Sequence, residues 1–262
     1  MVDQHTASRV RLGVIGVLAG FLSGLFGVGG GVLIVPALVA FCRQDQRQAV
    51  ATSMLAIGPL AVAGVVGYAV HHQVDVFLAV PLAIGTMIGA WIGTALLRRV
   101  SLPVLRWIFA AATLSAATRL VVDPGVPAGE VRHELWRLAI LVPIGIAVGV
   151  LAGLTGIGGG AVMVPIMQLG FAVPAALAKG TSLLVILPTA VLSGWRNLRA
   201  HLGSIRDGAW IGISGVVAAL VASAISVRLP GVVADLLFGL FLIAVAVRTV
   251  WPDLRALRSR LG

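Results

Sequence analysis

The chain has 262 residues, of which 59% are hydrophobic and only 11% charged, with a formal net charge of +10. A soluble domain carries about 25% charged residues, so the composition excludes a soluble globular protein and argues for repeated membrane crossing. The positive balance does not indicate a nucleic-acid binder. The arginines sit in short loops between apolar runs, where the positive-inside rule puts them. The single cysteine, Cys42, excludes an intrachain disulfide and suggests no redox or thiolate-metal site.

In chain order, the first apolar segment covers residues 12–28. Its basic start, with Arg9 and Arg11, resembles a signal peptide. The same kind of segment recurs at 138–153, which predicts that residues 1–28 stay in the mature protein. The segment runs into GLFGVGGGVLIVP, beginning at Gly24, and then into a short apolar stretch at 32–41. Longer runs follow at 49–70, 76–97 and 104–122, and a more polar linker at 123–134. The second half offers apolar segments at 138–154, 161–171, 179–195, 209–227 and 231–250, with GLTGIGGGAVMVP beginning at Gly153. Runs of about 20 apolar residues suffice to cross a bilayer core of roughly 30 Å. The segments at 32–41 and 161–171 reach only about halfway, at roughly 1.5 Å per residue.

A shift of 129 residues superimposes the two halves without a gap. Between 24–36 and 153–165, 8 of 13 positions are identical; between 49–62 and 178–191, 8 of 14 are. The matches include three consecutive glycines, a Thr-Ser pair and two prolines in one register. Apolar composition alone does not produce that, so the chain reads as a duplication of residues 1–122 and 135–262. Three adjacent glycines weaken a helix by roughly 1 kcal/mol each relative to alanine. They also permit the positive φ that a tight break needs. A break within the membrane is the reading preferred here; one long helix with a glycine packing face is the alternative.

Arginine placement bears on topology. If the first two segments of each half return to the side they started from, 14 loop arginines fall on one side and 4 on the other. Treating 12–41 as a single crossing gives 12 against 6. The first scheme fits the positive-inside rule better, with both termini cytoplasmic. It makes an odd number of crossings per half, so the halves are expected to be inverted, as in many transporters. Trp107, Trp136, Trp195, Trp210 and Trp251 lie near expected span ends, as interfacial aromatics should; Trp91 is the exception.

The stretches GFLSGLFGVGGGVLIVPAL and GLTGIGGGAVMVPIM, each near the start of a half, together with ATSML and GTSLL after them, resemble the TauE/SafE family of membrane transporters. The resemblance covers essentially the whole chain. It implies an all-α polytopic protein that exports sulfite, sulfoacetate or a related small sulfur-containing anion across a bacterial or archaeal inner membrane. It carries no substrate motif that can be transferred residue by residue.

The residues themselves suggest where an anion binds. A nucleotide loop is excluded, since no strand precedes the glycines and no Walker lysine follows. A helix that starts at Gly29, Gly30 and Gly31, and its mate at Gly158, Gly159 and Gly160, presents unpaired N–H groups and a positive dipole end to an anion. The alternative is close helix packing. Thr52, Ser53, Thr181 and Ser182 are the duplicated hydroxyls; they are expected either to contact sulfonate oxygens or to bond backbone carbonyls and cap helices. Lys179, the one lysine, is expected either to attract the anion or to snorkel to the outer interface. His72 and His201, related by the same shift, read as loop-edge residues. No span centre carries Asp or Glu, and Asp235 reads as lying near an outer end; both argue against a carboxylate relay. Potential-driven export then suffices, since each anionic charge leaving a negative interior gains roughly 2.3 kcal/mol per 100 mV. No metal cluster, cofactor motif or catalytic dyad is present in the sequence, so an enzyme is not expected. The expected partners are the small anion and the lipid bilayer, with a homodimer compatible. A non-transporting membrane subunit or anchor and an anion channel are the competing functions.

Overall fold

The computed structural model describes residues 4–96, 102–122, 124, 134–156 and 158–261. The linker expected at 123–134 falls, apart from residues 124 and 134, outside them, as do Arg98, Arg99 and Arg132. The described residues form ten helices and no strand: α1 (Gln4–Phe26), α2 (Gly31–Cys42), α3 (Gln46–Ala69), α4 (Val76–Leu96), α5 (Leu102–Val122), α6 (Leu135–Thr155), α7 (Gly160–Phe171), α8 (Ala175–Arg199), α9 (Ile205–Arg228) and α10 (Gly231–Leu261). Among them, α1, α3, α4, α6, α8, α9 and α10 are long and apolar enough to cross a membrane. Most bounds agree with the sequence pattern within a few residues. α10 continues well past the expected end at 250, into the basic tail.

Why the helices start and stop where they do is legible in their ends. Asp45 caps α3 by accepting the Arg47 amide, and Ser204 caps α9 by accepting that of Asp207. Between α1 and α2 the chain breaks with Gly27, Gly29 and Gly30 at φ of 71°, 75° and 76°; between α6 and α7 it breaks with Gly156, Gly158 and Gly159 at 71°, 89° and 77°. These are left-handed values that a Cβ penalises. The conformational match goes further. Arg43 and Ala172 both have φ 53°, and His72 and His201 both have φ 55°. Each pair is separated by 129 residues, so the duplication extends to individual backbone dihedrals.

The short helices double back. A Cβ placed on Gly30 would lie 2.8 Å from the carbonyl of Ala19, far back along α1; one on Gly159 would lie 2.8 Å from Val148 Cγ1 on α6. A chain that continued forward would put residue 30 more than about 15 Å from residue 19. α2 therefore runs back alongside α1, and α7 alongside α6. Accordingly Arg9, Gln44, Asp207 and Trp210 meet at one end of the bundle, through the Trp210 Nε1–Arg9 carbonyl bond (3.0 Å) and the Gln44–Asp207 bond (2.9 Å). Gln73, Asp75, Gly180 and Thr181 meet at the other.

The two halves interlock rather than stand side by side. Gly16, Gly20 and Gly24 of α1 press directly on the α9 backbone at Ile211, Gly215 and Ala219. Gly85, Gly89 and Gly93 of α4 press on α6 at Val142, Ile146 and Val150. Each register ascends on both helices, so both pairs run parallel. Small residues at four-residue spacing let backbones approach this closely, a common device between membrane helices. No Cβ fits at these contacts. Outside the interlocked core the helices expose apolar stripes, such as Ile213, Val217, Val221 and Ile225 on α9, as a lipid-facing surface requires.

Candidate functional site

The two glycine breaks meet at the centre of the bundle. A Cβ on Gly160 would lie 2.6 Å from the Gly27 carbonyl oxygen and 2.7 Å from Val28 Cα; one on Gly158 would lie 3.4 Å from the Val28 oxygen. Ile57 and Ile186, another pair at the 129-residue spacing, clamp the breaks from α3 and α8: a Cβ on Gly29 would be 3.1 Å from Ile57 Cγ2 and 3.4 Å from Ile186 Cδ1. Gly29, Gly30, Gly31, Gly158, Gly159 and Gly160 are all buried. Neither α2 nor α7 has a side-chain cap or an acidic residue in its first turn. Leu33 and Ile34 are the first α2 amides to close onto the Gly30 carbonyl, and Val162 and Met163 do the same to Gly159. Two uncapped helix starts, each with the partial positive charge of its dipole, thus converge in the core.

The duplicated serines hold these breaks in place reciprocally, and the duplicated threonines hold the chain just before α9 and α4. Ser53 Oγ donates to the Gly156 carbonyl (2.8 Å), sharing its proton with Val50 O; Ser182 Oγ donates to the Gly27 carbonyl (3.0 Å). Thr52 Oγ1 accepts the Ser204 amide (3.0 Å), and Thr181 Oγ1 accepts that of Asp75 (2.9 Å). In every case the hydroxyl of one half binds the backbone of the other. All four residues are fully buried.

Lys179 is 1% exposed and does not snorkel. Its backbone packs on Gly27, and its Nζ donates to Ser226 Oγ (3.1 Å), which donates to the Leu25 carbonyl (2.8 Å). Asp235 lies close enough to act on it electrostatically. Asp235 lies in the second turn of α10, near the start of that helix as expected. It is buried and accepts a 2.9 Å bond from Gln168 Nε2. Tyr68, also fully buried, donates to the Gly24 carbonyl at 2.7 Å. The last turn of α1 is therefore tied down by Tyr68 and Ser226, immediately before the first break. Sequence reasoning missed Gln168, Ser226 and Tyr68, and the partner of Asp235, because these residues come from α7, α9, α3 and α10 and share no spacing. A tyrosine and polar residues inside apolar segments were the available signal.

His72 and His201 are exposed turn residues, as expected of loop edges. Trp91 is no longer exceptional: Arg196 lies over its ring at 4.9 Å and donates to its carbonyl, so the arginine carries its charge back along α4 to the tryptophan. Among the described residues no group of His, Cys, Asp or Glu is placed to hold a metal ion.

Comparison with known proteins bears on these features. The family model described as "Sulfite exporter TauE/SafE" matches residues 2–120 and 141–261. The chain is 30% identical over 236 residues to the probable membrane transporter protein YunE of Bacillus subtilis, covering 78% of this chain and 86% of that one. It is 29% identical over 258 residues to a probable membrane transporter protein of Haemophilus influenzae, covering 89% and 95%. A 42% identical match to the probable membrane transporter protein YdhB of Bacillus subtilis covers 93 residues, 38% of that protein. No solved structure matches.

Proposed function

The chain belongs to the sulfite exporter TauE/SafE family, and from that premise we propose that it is a secondary transporter that exports sulfite or a small organosulfonate across the inner membrane. One observation carries the reading: two buried, uncapped helix N-termini converge with no acidic side chain in either first turn. Like ends repel, and an anion between them relieves both; helix starts are anion sites for this reason. Gly29–Gly31 and Gly158–Gly160 are the proposed ligands through their amides. Ser53 and Ser182 fix the backbone of this site, Thr52 and Thr181 are proposed to contact the anion as it approaches, and Lys179 supplies a positive field beside the first break.

We further infer that the halves are inverted about this site, with both termini and the Arg47 and Arg199 end in the cytoplasm. The return of α2 and α7 and the 14-to-4 distribution of loop arginines support this. Rocking of one interlocked set of helices against the other then exposes the site alternately.

Export driven by the membrane potential needs no coupling ion. The buried Asp235 beside Lys179 favours a second reading, in which a proton accompanies the anion. Proteoliposome flux with a panel of sulfur oxyanions, under imposed potential and with the pH gradient collapsed, decides between them. Saturable, electrogenic sulfite or sulfonate flux that survives collapse is the expected result. Dependence on the pH gradient selects the second reading. Absence of flux for every anion, or flux that never saturates, overturns the carrier.

A further inference from the structure

Resting on the carrier reading, we propose that Thr189, Ser193 and Asn197 of α8 form a one-sided hydrogen-bonding track that passes a small oxyanion between the central breaks and the arginine-bearing end of the bundle.

The three residues recur at four-residue spacing, so they share one face of the helix. Their start is fixed to the breaks, because Ile186, one turn before Thr189, touches both glycine motifs. Thr189 Oγ1 shares its proton between Thr86 Oγ1 on α4 (2.9 Å) and Val185 O (3.2 Å). Their far end lies in the last turn of α8, which carries Arg196 and Arg199. Ser193 and Asn197 are 0% and 3% exposed, yet Ser193 Oγ and Asn197 Nδ2 have no hydrogen-bond partner among the described residues. Leaving a buried donor unpaired is costly. Two on one face, leading from the anion site, point to a ligand that accepts hydrogen bonds. Both groups are neutral donors, which suits a passing anion: they stabilise it without binding it as tightly as a fixed cation does.

The other half supplies an internal control. At the 129-residue spacing, Thr189, Ser193 and Asn197 correspond to Leu60, Gly64 and Tyr68. Leu60 packs against Gly215 and Gly30, Leu183 fills the space over Gly64, and Tyr68 spends its hydroxyl on Gly24. The equivalent route toward the opposite end is therefore apolar and plugged. The same backbone presents donors in one direction and a seal in the other.

Cysteine reactivity tests this without a known substrate. In full-length protein with Cys42→Ala, single Ser193→Cys, Asn197→Cys and Leu60→Cys variants are treated with methanethiosulfonates of similar size, one carrying a sulfonate and one a trimethylammonium group. Rates are corrected for each reagent's reaction with a free thiol. The track predicts that Ser193→Cys and Asn197→Cys react with the anionic reagent about tenfold faster than Leu60→Cys, and faster than with the cationic one. Equal rates at 60, 193 and 197, or no anion preference, overturn the track while leaving the carrier reading to stand or fall on flux. Because two track positions are probed, failure of one variant to fold leaves the other to decide.

Discussion

The two halves share a backbone and differ in what they hang on it. Residues 27, 29, 30, 43 and 72 repeat their left-handed dihedrals at 156, 158, 159, 172 and 201. The Ser53–Gly156 and Ser182–Gly27 bonds, and the Thr52–Ser204 and Thr181–Asp75 bonds, are the same contacts made twice in opposite directions. Beyond these hydroxyls, several buried polar side chains are not repeated. Gln168, Lys179, Ser226 and Asp235 correspond to Val39, Val50, Leu97 and Arg106, and Tyr68 to Asn197. Symmetry builds the central framework, where the two breaks meet with the same backbone conformation. Departures from symmetry then differentiate the two ends: one carries a buried tyrosine, lysine and aspartate, the other buried uncharged donors.

The largest effect is expected where that asymmetry is erased. Lys179→Val installs the residue of the first half and removes the buried positive charge on which Asp235 acts electrostatically. The substitution also removes the donor to Ser226 Oγ, and loss of a buried charged hydrogen-bonding group costs about 1–3 kcal/mol or more. The variant should show a sharply lower melting temperature in detergent, and Lys179→Val combined with Asp235→Asn should recover most of it. If the single variant melts normally, Lys179 and Asp235 do not depend on each other.

A smaller and equal effect is expected where the halves match. Ser53→Ala and Ser182→Ala each leave a buried carbonyl without its side-chain donor, a loss of about 1–3 kcal/mol. Their melting temperatures should fall by similar amounts. Markedly unequal losses would show that the reciprocal bonds are not energetically equivalent.

The smallest effects separate the two ends. Tyr68→Phe removes one neutral hydrogen bond to Gly24, worth about 0.5–1.5 kcal/mol. Asn197→Leu removes a donor that has no partner, so its melting temperature should not fall. A larger loss for Asn197→Leu than for Tyr68→Phe would reverse the assignment of sealed and donor-lined ends.

Much of this was written in the sequence, for definite reasons. Glycine, proline and the Thr-Ser pair are the residues whose backbone roles tolerate least change, so they exposed the repeat through otherwise interchangeable Val, Leu and Ala. The short apolar segments at 32–41 and 161–171 appear as the 12-residue helices α2 and α7. That they fold back was legible only as a better arginine balance; the contact of Gly30 with Ala19 makes it concrete. Partner choice was not legible. Nothing local tells Ser53 that its acceptor lies 103 residues away, or that Asp235, the fifth residue of α10, turns inward to Gln168. Nor does sequence reveal an unmet donor: Asn197 reads as an ordinary polar residue near a span end until its neighbours are counted.

The central claim is that both glycine breaks serve one anion. Calorimetric titration of purified protein with sulfite or a small sulfonate, on wild type, Gly30→Ala and Gly159→Ala, tests it most directly, with melting curves alongside. At φ of 76° and 77° an alanine is strained by roughly 1–2 kcal/mol. Its methyl presses on the rigid Ala19 carbonyl at position 30 but on the softer Val148 side chain at 159, so Gly30→Ala should be the less stable. The account predicts one anion bound per chain, with affinity reduced at least several-fold by either substitution and beyond what the loss of stability explains. Two independent sites, or affinities that are unchanged or fall only in step with melting temperature, would contradict it and reduce the glycine clusters to packing devices.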